Sequence, residues 1–318
     1  MLDAYPLIEL LQVAVLGLVA GTLGGMLGVG GSTVMIPGLV FILGRPTGTE
    51  QHLYQASAMI ANVAVSVPAA LRHRKAGAMT PAVLRWMMPA ALVCVVIGVA
   101  LSNLPIFAGQ DGGVWLGRLL AVFLVYVIYA NVRKLLAPRP LTTIPHQDQP
   151  HSRDLTGPGA AAHDSPLTTE IIETTETHHE PTDDRTQATP ARGLVVGSLM
   201  GTTAGLLGIG GGAVATPLQQ TLMKLPLRSC IANSSAIICV SAAVGAVYKN
   251  LSLSSQPVPA GVEPFTWVQG LTLGLLLAPT AFVGGRLGAT LTHRLPLRTI
   301  RVAFIALMVV ACWKMAAL

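Results

Sequence analysis

Two runs of glycine, Gly28-Val-Gly-Gly31 and Gly208-Ile-Gly-Gly-Gly212, sit inside long apolar stretches of this 318-residue chain. Glycine costs about 1 kcal/mol relative to alanine in a helix interior, so three or four within five residues end a helix. A broken helix at membrane depth survives only where its freed backbone is buried in protein or lines a cavity. The half-helix that restarts after the break presents unpaired N–H groups, and its dipole adds partial positive charge. The chemistry on offer is anion binding by backbone amides. Gly28, Gly30, Gly31 and Ser32 are the donors expected from the first run, and Gly208, Gly210, Gly211 and Gly212 those from the second.

Two nucleotide readings fail. A P-loop requires lysine where Gly31 stands, and Gly208–Ala213 fits a dinucleotide fingerprint only outside its necessary strand–helix setting. Side-chain donors without charge lie downstream at Gln55, Ser57, Asn233, Ser234 and Ser235, and Arg286 adds one cation near the end of a later apolar run. Pro37 and Pro217 follow the glycines at equal spacing and free one more carbonyl in each short helix. The histidines outside residues 138–190 are His52, His73 and His293, all near expected loops, so no nucleophile–base pair or metal set is visible. The sequence therefore indicates no enzyme, no metal and no cofactor.

The elements that must carry these residues are membrane helices. The chain is 52% hydrophobic and 11% charged, against roughly 25% charged in soluble domains. Runs such as Trp86–Leu101, Leu116–Val132 and Ile300–Trp313 approach the ~20 residues that span a bilayer. Of 14 acidic residues, nine lie between Asp148 and Asp184. The formal charge of +6 is thus spread over the edges of apolar runs, a topology signal and not a nucleic-acid footprint. Cys94, Cys230, Cys239 and Cys312 form no CxxC pair and read as small core residues. The N-terminus lacks a basic n-region, so the first apolar run is expected to stay as a helix.

Residues 138–190 hold eight prolines, eleven threonines and five histidines with no apolar period, and read as a disordered linker. They divide the chain into a first transmembrane repeat, 1–137, and a second, 191–318. Between Gly21–Pro37 and Gly201–Pro217, nine of 17 positions are identical, which supports internal duplication. The expected helices are 7–29, 31–44, 53–71, 80–101 and 115–136, then 191–209, 211–224, 229–249, 265–291 and 297–316. Gly17, Gly21 and Gly25, like Gly197, Gly201 and Gly205, recur at every fourth position and suit close helix packing. The positive-inside rule puts loop 72–78, the linker and loop 292–298 in the cytoplasm. Loops 103–114 and 251–264 then face outward, despite Lys249 at the edge of the second. The fold class expected is an all-α polytopic protein of the inner (plasma) membrane. It has about ten spanning or half-spanning helices in two inverted five-helix repeats, each with a glycine-broken helix.

The doubled G-x-x-G-x-G-G…P pattern, Asn233-Ser234-Ser235, GGRLG around Arg286 and the ending LPLRTIRVAF resemble the TauE/SafE sulfite exporter family, also called the toluene-sulfonate uptake permease family. The resemblance covers both halves and omits the linker. It implies transport, in either direction, of sulfite, of sulfonates such as sulfoacetate, or of related sulfur oxyanions. It carries over to Gly25, Gly28, Gly30, Gly31 and Pro37, and to Gly205, Gly208, Gly210, Gly211, Pro217, Asn233, Ser234, Ser235 and Arg286. Departures are Ser32 opposite Gly212, and Gln55-Ala56 opposite Asn233-Ser234, so unequal half-sites are expected. The partners implied are a small anionic sulfur compound and the lipid bilayer, with a homo-oligomer left open. An anion channel, or a carrier of another small organic anion, is the alternative.

Overall fold

The computed structural model describes residues 7–43, 50–107, 109–136, 189–256 and 264–292, with seven helical positions between 302 and 313. Among the described residues there are nine α-helices and no strand. They are α1 (Leu7–Leu27), α2 (Ser32–Leu43), α3 (Glu50–Lys75), α4 (Pro81–Ser102), α5 (Gly109–Leu136), α6 (Pro190–Leu207), α7 (Gly212–Leu222), α8 (Leu227–Leu251) and α9 (Trp267–Leu291). Short 3₁₀ turns follow α4 at Pro105–Phe107 and α8 at Leu253–Ser255. Six helices, α1, α3, α4, α5, α8 and α9, are long and apolar enough to cross a membrane. The expected helix 297–316 falls largely outside the described residues, as do residues 257–263 of the expected loop 251–264, the expected loop 292–298 beyond Thr292, and the linker up to 188.

The helix ends follow local chemistry. Pro81 and Pro190 open α4 and α6 at the first turn, where a missing N–H costs nothing. The Thr266 amide donates to Gln269 Oε1 at 2.9 Å and fixes the start of α9. Helix α3 runs to Lys75, so Arg72, His73, Arg74 and Lys75 form its last turn and not a loop as expected. Cations are favourable against the helix's negative end, and Gly77 at φ +66° then turns the chain. Helix α8 likewise runs two residues further than expected, carrying Lys249 inside.

Burial ranks the helices. In α3 and α8, 72% and 67% of the apolar window is covered by protein, against 33–44% in the other four spans. These two helices form the centre, and Val93, Ile97, Val122 and Leu275 on the outer ones remain exposed as a lipid-facing surface would be. Two tight crossings hold the outer helices on. Gly17, Gly21 and Gly25 of α1 face Thr280, Ala281 and Gly285 of α9, and Gly284 and Gly288 return the approach against Leu18 and Thr22. Gly197, Gly201 and Gly205 of α6 face Met87, Ala91 and Val95 of α4, whose Gly98 meets the Thr202 carbonyl. The first helix of each half thus packs on the fourth helix of the other half, and the upstream glycines serve packing.

A side chain at these crossings has nowhere to go. A Cβ on Gly21 would lie 2.5 Å from the Ala281 carbonyl oxygen. Overpacking of this kind costs about 1–3 kcal/mol. Gly21→Val is therefore expected to lower the thermal unfolding midpoint of the purified protein by roughly 3–10 °C. An unchanged midpoint would mean that α1 and α9 separate without cost.

Candidate functional site

Both glycine runs break their helices where the sequence places them. Gly28 and Gly208 adopt φ of +62° and +73°, and their amides donate back to Gly24 O at 3.0 Å and Ala204 O at 2.9 Å. This is the left-handed glycine cap that closes α1 and α6. Gly30, Gly210 and Gly211 also lie at positive φ, +92°, +79° and +70°. The next helices restart at once. Gly31 O accepts from Val34 N and Met35 N, both at 3.0 Å, and Gly211 O accepts from Val214 N and Ala215 N, both at 3.1 Å. The amides of Ser32, Thr33, Gly212 and Ala213 precede those first intrahelical bonds and donate to no group among the described residues.

The two breaks meet. A Cβ on Gly212 would collide with the Gly28 carbonyl oxygen, and one on Gly30 would lie 3.2 Å from Ile209 O. Both loops also close on one side chain from the centre of α3 that sequence reasoning did not select, Asn62. It is fully buried, and its Oδ1 accepts from Gly31 N at 2.9 Å. Only an oxygen can accept from that N–H, so Nδ2 is the atom left pointing away. Nδ2 has no partner, and a Cβ built on Gly210 would strike it. Ser32 Oγ and Thr33 Oγ1, at the start of α2, are likewise buried without partners. Buried donors without acceptors cost roughly 1–3 kcal/mol each. Here they cluster at the positive ends of two half-helices, α2 and α7.

The other expected residues divide. Gln55 lies against Gly208, and its Nε2 donates to Leu206 O at 3.3 Å, serving the open end of α6, while Oε1 is unpartnered. Ser57 donates to Leu53 O and Gly270 O. Asn233 Oδ1 accepts from Thr80 N at 2.9 Å and its Nδ2 donates to Gln219 Oε1. Ser234 accepts from Gln219 Nε2 at 3.0 Å, and Ser235 donates to Ile231 O. Ser57, Asn233 and Ser234 thus join separate segments, and Ser235 bonds within its own helix. Pro37 and Pro217 lie inside α2 and α7 as expected. Arg286 is on the exposed face of α9, away from the glycines that pack on α1. Exposed positions of this kind change free energies by about 0.5 kcal/mol, so Arg286→Gln is expected to leave anion uptake within about twofold of wild type.

The register between the halves also differs from the one read in sequence. Gly208 backs onto Gln55, whereas its counterpart Gly28 backs onto Ile231. Seven residues on, two turns along the same face, Asn62 meets Gly210 and Ile238 meets Gly212. Gln55 therefore pairs with Ile231, while Asn62 and Ile238 both lie against the loop of Gly210. The sequence signal for Asn62 was its i+7 spacing from Gln55 on the central helix.

Beside the contact, a cavity of about 30 Å³ is lined by Val29, Ala213, Thr216, Pro217, Ile231 and Asn131 of α5, among others. By volume it takes about two water molecules, less than a hydrated oxyanion.

The family model of the sulfite exporter TauE/SafE matches residues 13–315 of this chain. Over 316 residues the chain is 28% identical to the "Probable membrane transporter protein MamO" of Magnetospirillum gryphiswaldense, covering 99% of this chain and 46% of that protein. It is 26% identical to the "Probable membrane transporter protein YunE" of Bacillus subtilis, over 94% of each. It is 22% identical to a "Probable membrane transporter protein" of Haemophilus influenzae, over 94% of this chain and 95% of that one. The chain spans about half the length of the MamO proteins it matches. No solved structure is a significant match.

Proposed function

This chain belongs to the sulfite exporter TauE/SafE family, a family of multi-pass membrane transporters and not enzymes, and we propose that it carries small sulfur oxyanions such as sulfite or sulfoacetate. The anion binds between the N-termini of α2 and α7. The amides of Gly30, Ser32, Thr33 and Gly210–Ala213 supply most of the hydrogen bonds, and Asn62 Nδ2 and the Ser32 and Thr33 hydroxyls supply the rest. The observation that carries this reading is the buried, partnerless Asn62 amide held between two facing helix breaks. A dianion or monoanion satisfies all these donors at once, and a cation satisfies none.

The reciprocal packing of α1 on α9 and of α6 on α4 supports two inverted five-helix repeats of about ten helices. In the inner membrane, the basic last turn of α3 then faces the cytoplasm, as does the linker. The glycine loops touch directly, which interrupts any continuous path and favours a carrier over an open channel. Transport proceeds by parting the loops toward one side and then the other.

A binding assay on the purified full chain with sulfite, sulfoacetate, sulfate and a neutral sugar tests the reading. Binding of at least one sulfur anion, with no response to the sugar, is expected. Binding of the sugar with none of the anions would remove the proposal.

A further inference from the structure

Away from the glycine loops, the starts and ends of three helices enclose a second polar cluster with a lysine at its heart. Lys249, in the last turn of α8, is 0% exposed. Its Nζ lies 2.7 Å from His52 Nδ1, 2.7 Å from Ser102 Oγ and 3.1 Å from Asn103 Oδ1. His52, near the start of α3, makes its other ring contact with Phe107 O at 2.9 Å. Gln256 Nε2 donates to Asn103 Oδ1 at 2.9 Å and closes the cluster.

The bonding suits one protonation state. Phe107 O can only accept, so Nε2 carries a hydrogen, and in the neutral imidazole Nδ1 is then an acceptor. Ser102 Oγ donates to Val99 O at 2.8 Å and so accepts from the lysine. Lys249 then faces three acceptors with three hydrogens, the ammonium form. None of these partners is a carboxylate. What favours the cation is the negative end of α4, which stops at Ser102, together with that of α8 itself. The other ionisable groups at this end of the surrounding helices are Glu50 and Tyr54 on α3, where Tyr54 donates to Glu50 at 3.5 Å, Tyr248 on α8, and Asp111 in the exposed first turn of α5. None of them contacts Nζ.

We infer that Lys249 and His52 form a proton-holding pair that couples proton movement to anion transport. A buried lysine without a carboxylate partner among the described residues is costly to keep as a mere tie, and two adjacent nitrogen bases are the parts of a proton relay. The step balances simply. The Lys249 ammonium gives its proton to His52 Nδ1, and the imidazolium releases its Nε2 proton toward water at the loop of Phe107. After the step, neutral Lys249 donates its two hydrogens to Ser102 Oγ and Asn103 Oδ1 and accepts from Nδ1–H, while Nε2 has no hydrogen left for Phe107 O, so the tie between α3 and the loop at Phe107 breaks. His52 lies one turn from Gln55 on α3, and α3 and α8 are the helices on which both glycine loops rest. Loss of the proton therefore loosens α3 against the loop that follows α4. The inference rests on the anion-carrier reading above.

The test uses the full chain in liposomes, with sulfoacetate as the probe because, unlike sulfite, it holds no titrating proton near neutral pH. Sulfoacetate counterflow without a pH gradient reports transport alone, and accumulation under a gradient reports coupling. At one proton per anion, a one-unit pH gradient changes accumulation by about tenfold, and its direction tells symport from antiport. His52→Asn keeps an acceptor for Lys249 but cannot titrate, and Lys249→Arg keeps the charge but cannot release it. Both variants are expected to retain counterflow and lose the tenfold response. A tenfold response kept in both, or wild-type counterflow that ignores the gradient, overturns the inference. Hydrogen exchange at 102–107, measured without substrate and corrected for intrinsic rates, supplies the independent readout. A step between about pH 5 and pH 10 in wild type, flattened in both variants, is expected. Absent counterflow with sulfite and sulfoacetate alike, while that step persists, would remove the carrier reading and keep the proton site. Absence of the step in wild type removes the proton site.

Discussion

Replacing Gly210 by alanine is expected to reduce anion uptake at least about a hundredfold while leaving the protein in the membrane. Two effects add. Gly210 sits at φ +79°, where an L-residue costs about 1–2 kcal/mol. The new methyl would also meet Asn62 Nδ2, an atom held from behind by the Gly31 N–H bond and unable to retreat. The loop must shift, and the donors aimed at the anion shift with it. Losing two hydrogen bonds to a charged group at about 1.5–3 kcal/mol each supplies the stated factor. Gly77→Ala is the control. Its φ is +66°, so the backbone strain is similar, but nothing lies within 4 Å of the added Cβ. Normal uptake in Gly77→Ala and loss in Gly210→Ala would place the effect in the site. Normal uptake in both would reduce the glycine loop to a packing device.

Much of this architecture was legible because it is written in glycine and apolar length. Helix breaks at Gly28–Gly31 and Gly208–Gly212 follow from propensity alone, and the packing role of Gly21 or Gly201 follows from four-residue spacing on an uncharged face. The polar residues were harder. Asn233, Ser234 and Ser235 stand out in sequence as a polar triplet, yet their bonds go to Thr80, Gln219 and Ile231. A polar side chain in a membrane helix can serve a substrate or a neighbouring helix, and composition does not separate the two. Asn62 was passed over because it stands alone in its run, though its spacing from Gln55 put it on the loop-facing side of α3. Lys249 was read as a loop edge because a lysine near a helix end ordinarily reaches water. Two added residues at the end of α8 and the cover of Asn103 and Gln256 turned it inward. Such burial depends on contacts between segments up to 197 residues apart, which local pattern cannot carry.

Asn62→Asp is expected to leave the fold intact and abolish anion binding. The substitution is nearly isosteric, and a carboxylate oxygen can still accept from Gly31 N as Oδ1 does now at 2.9 Å. The second oxygen, in the place of Nδ2, lies against Gly30 and Gly210 near the positive helix ends, and as an acceptor it leaves no unpaired donor behind. For a substrate anion the change is opposite in sign. One donor is lost, and a like charge stands in its place. At about 4 Å and an effective dielectric near 20, that repulsion is about 4 kcal/mol, or roughly three orders of magnitude in affinity. A detergent-stable, monodisperse variant with no detectable sulfite or sulfoacetate binding is the expected result, and it would assign Asn62 to the anion and not to packing. Wild-type binding in that variant would mean that the anion lies elsewhere, and that the unpartnered amide between the glycine loops serves some other purpose.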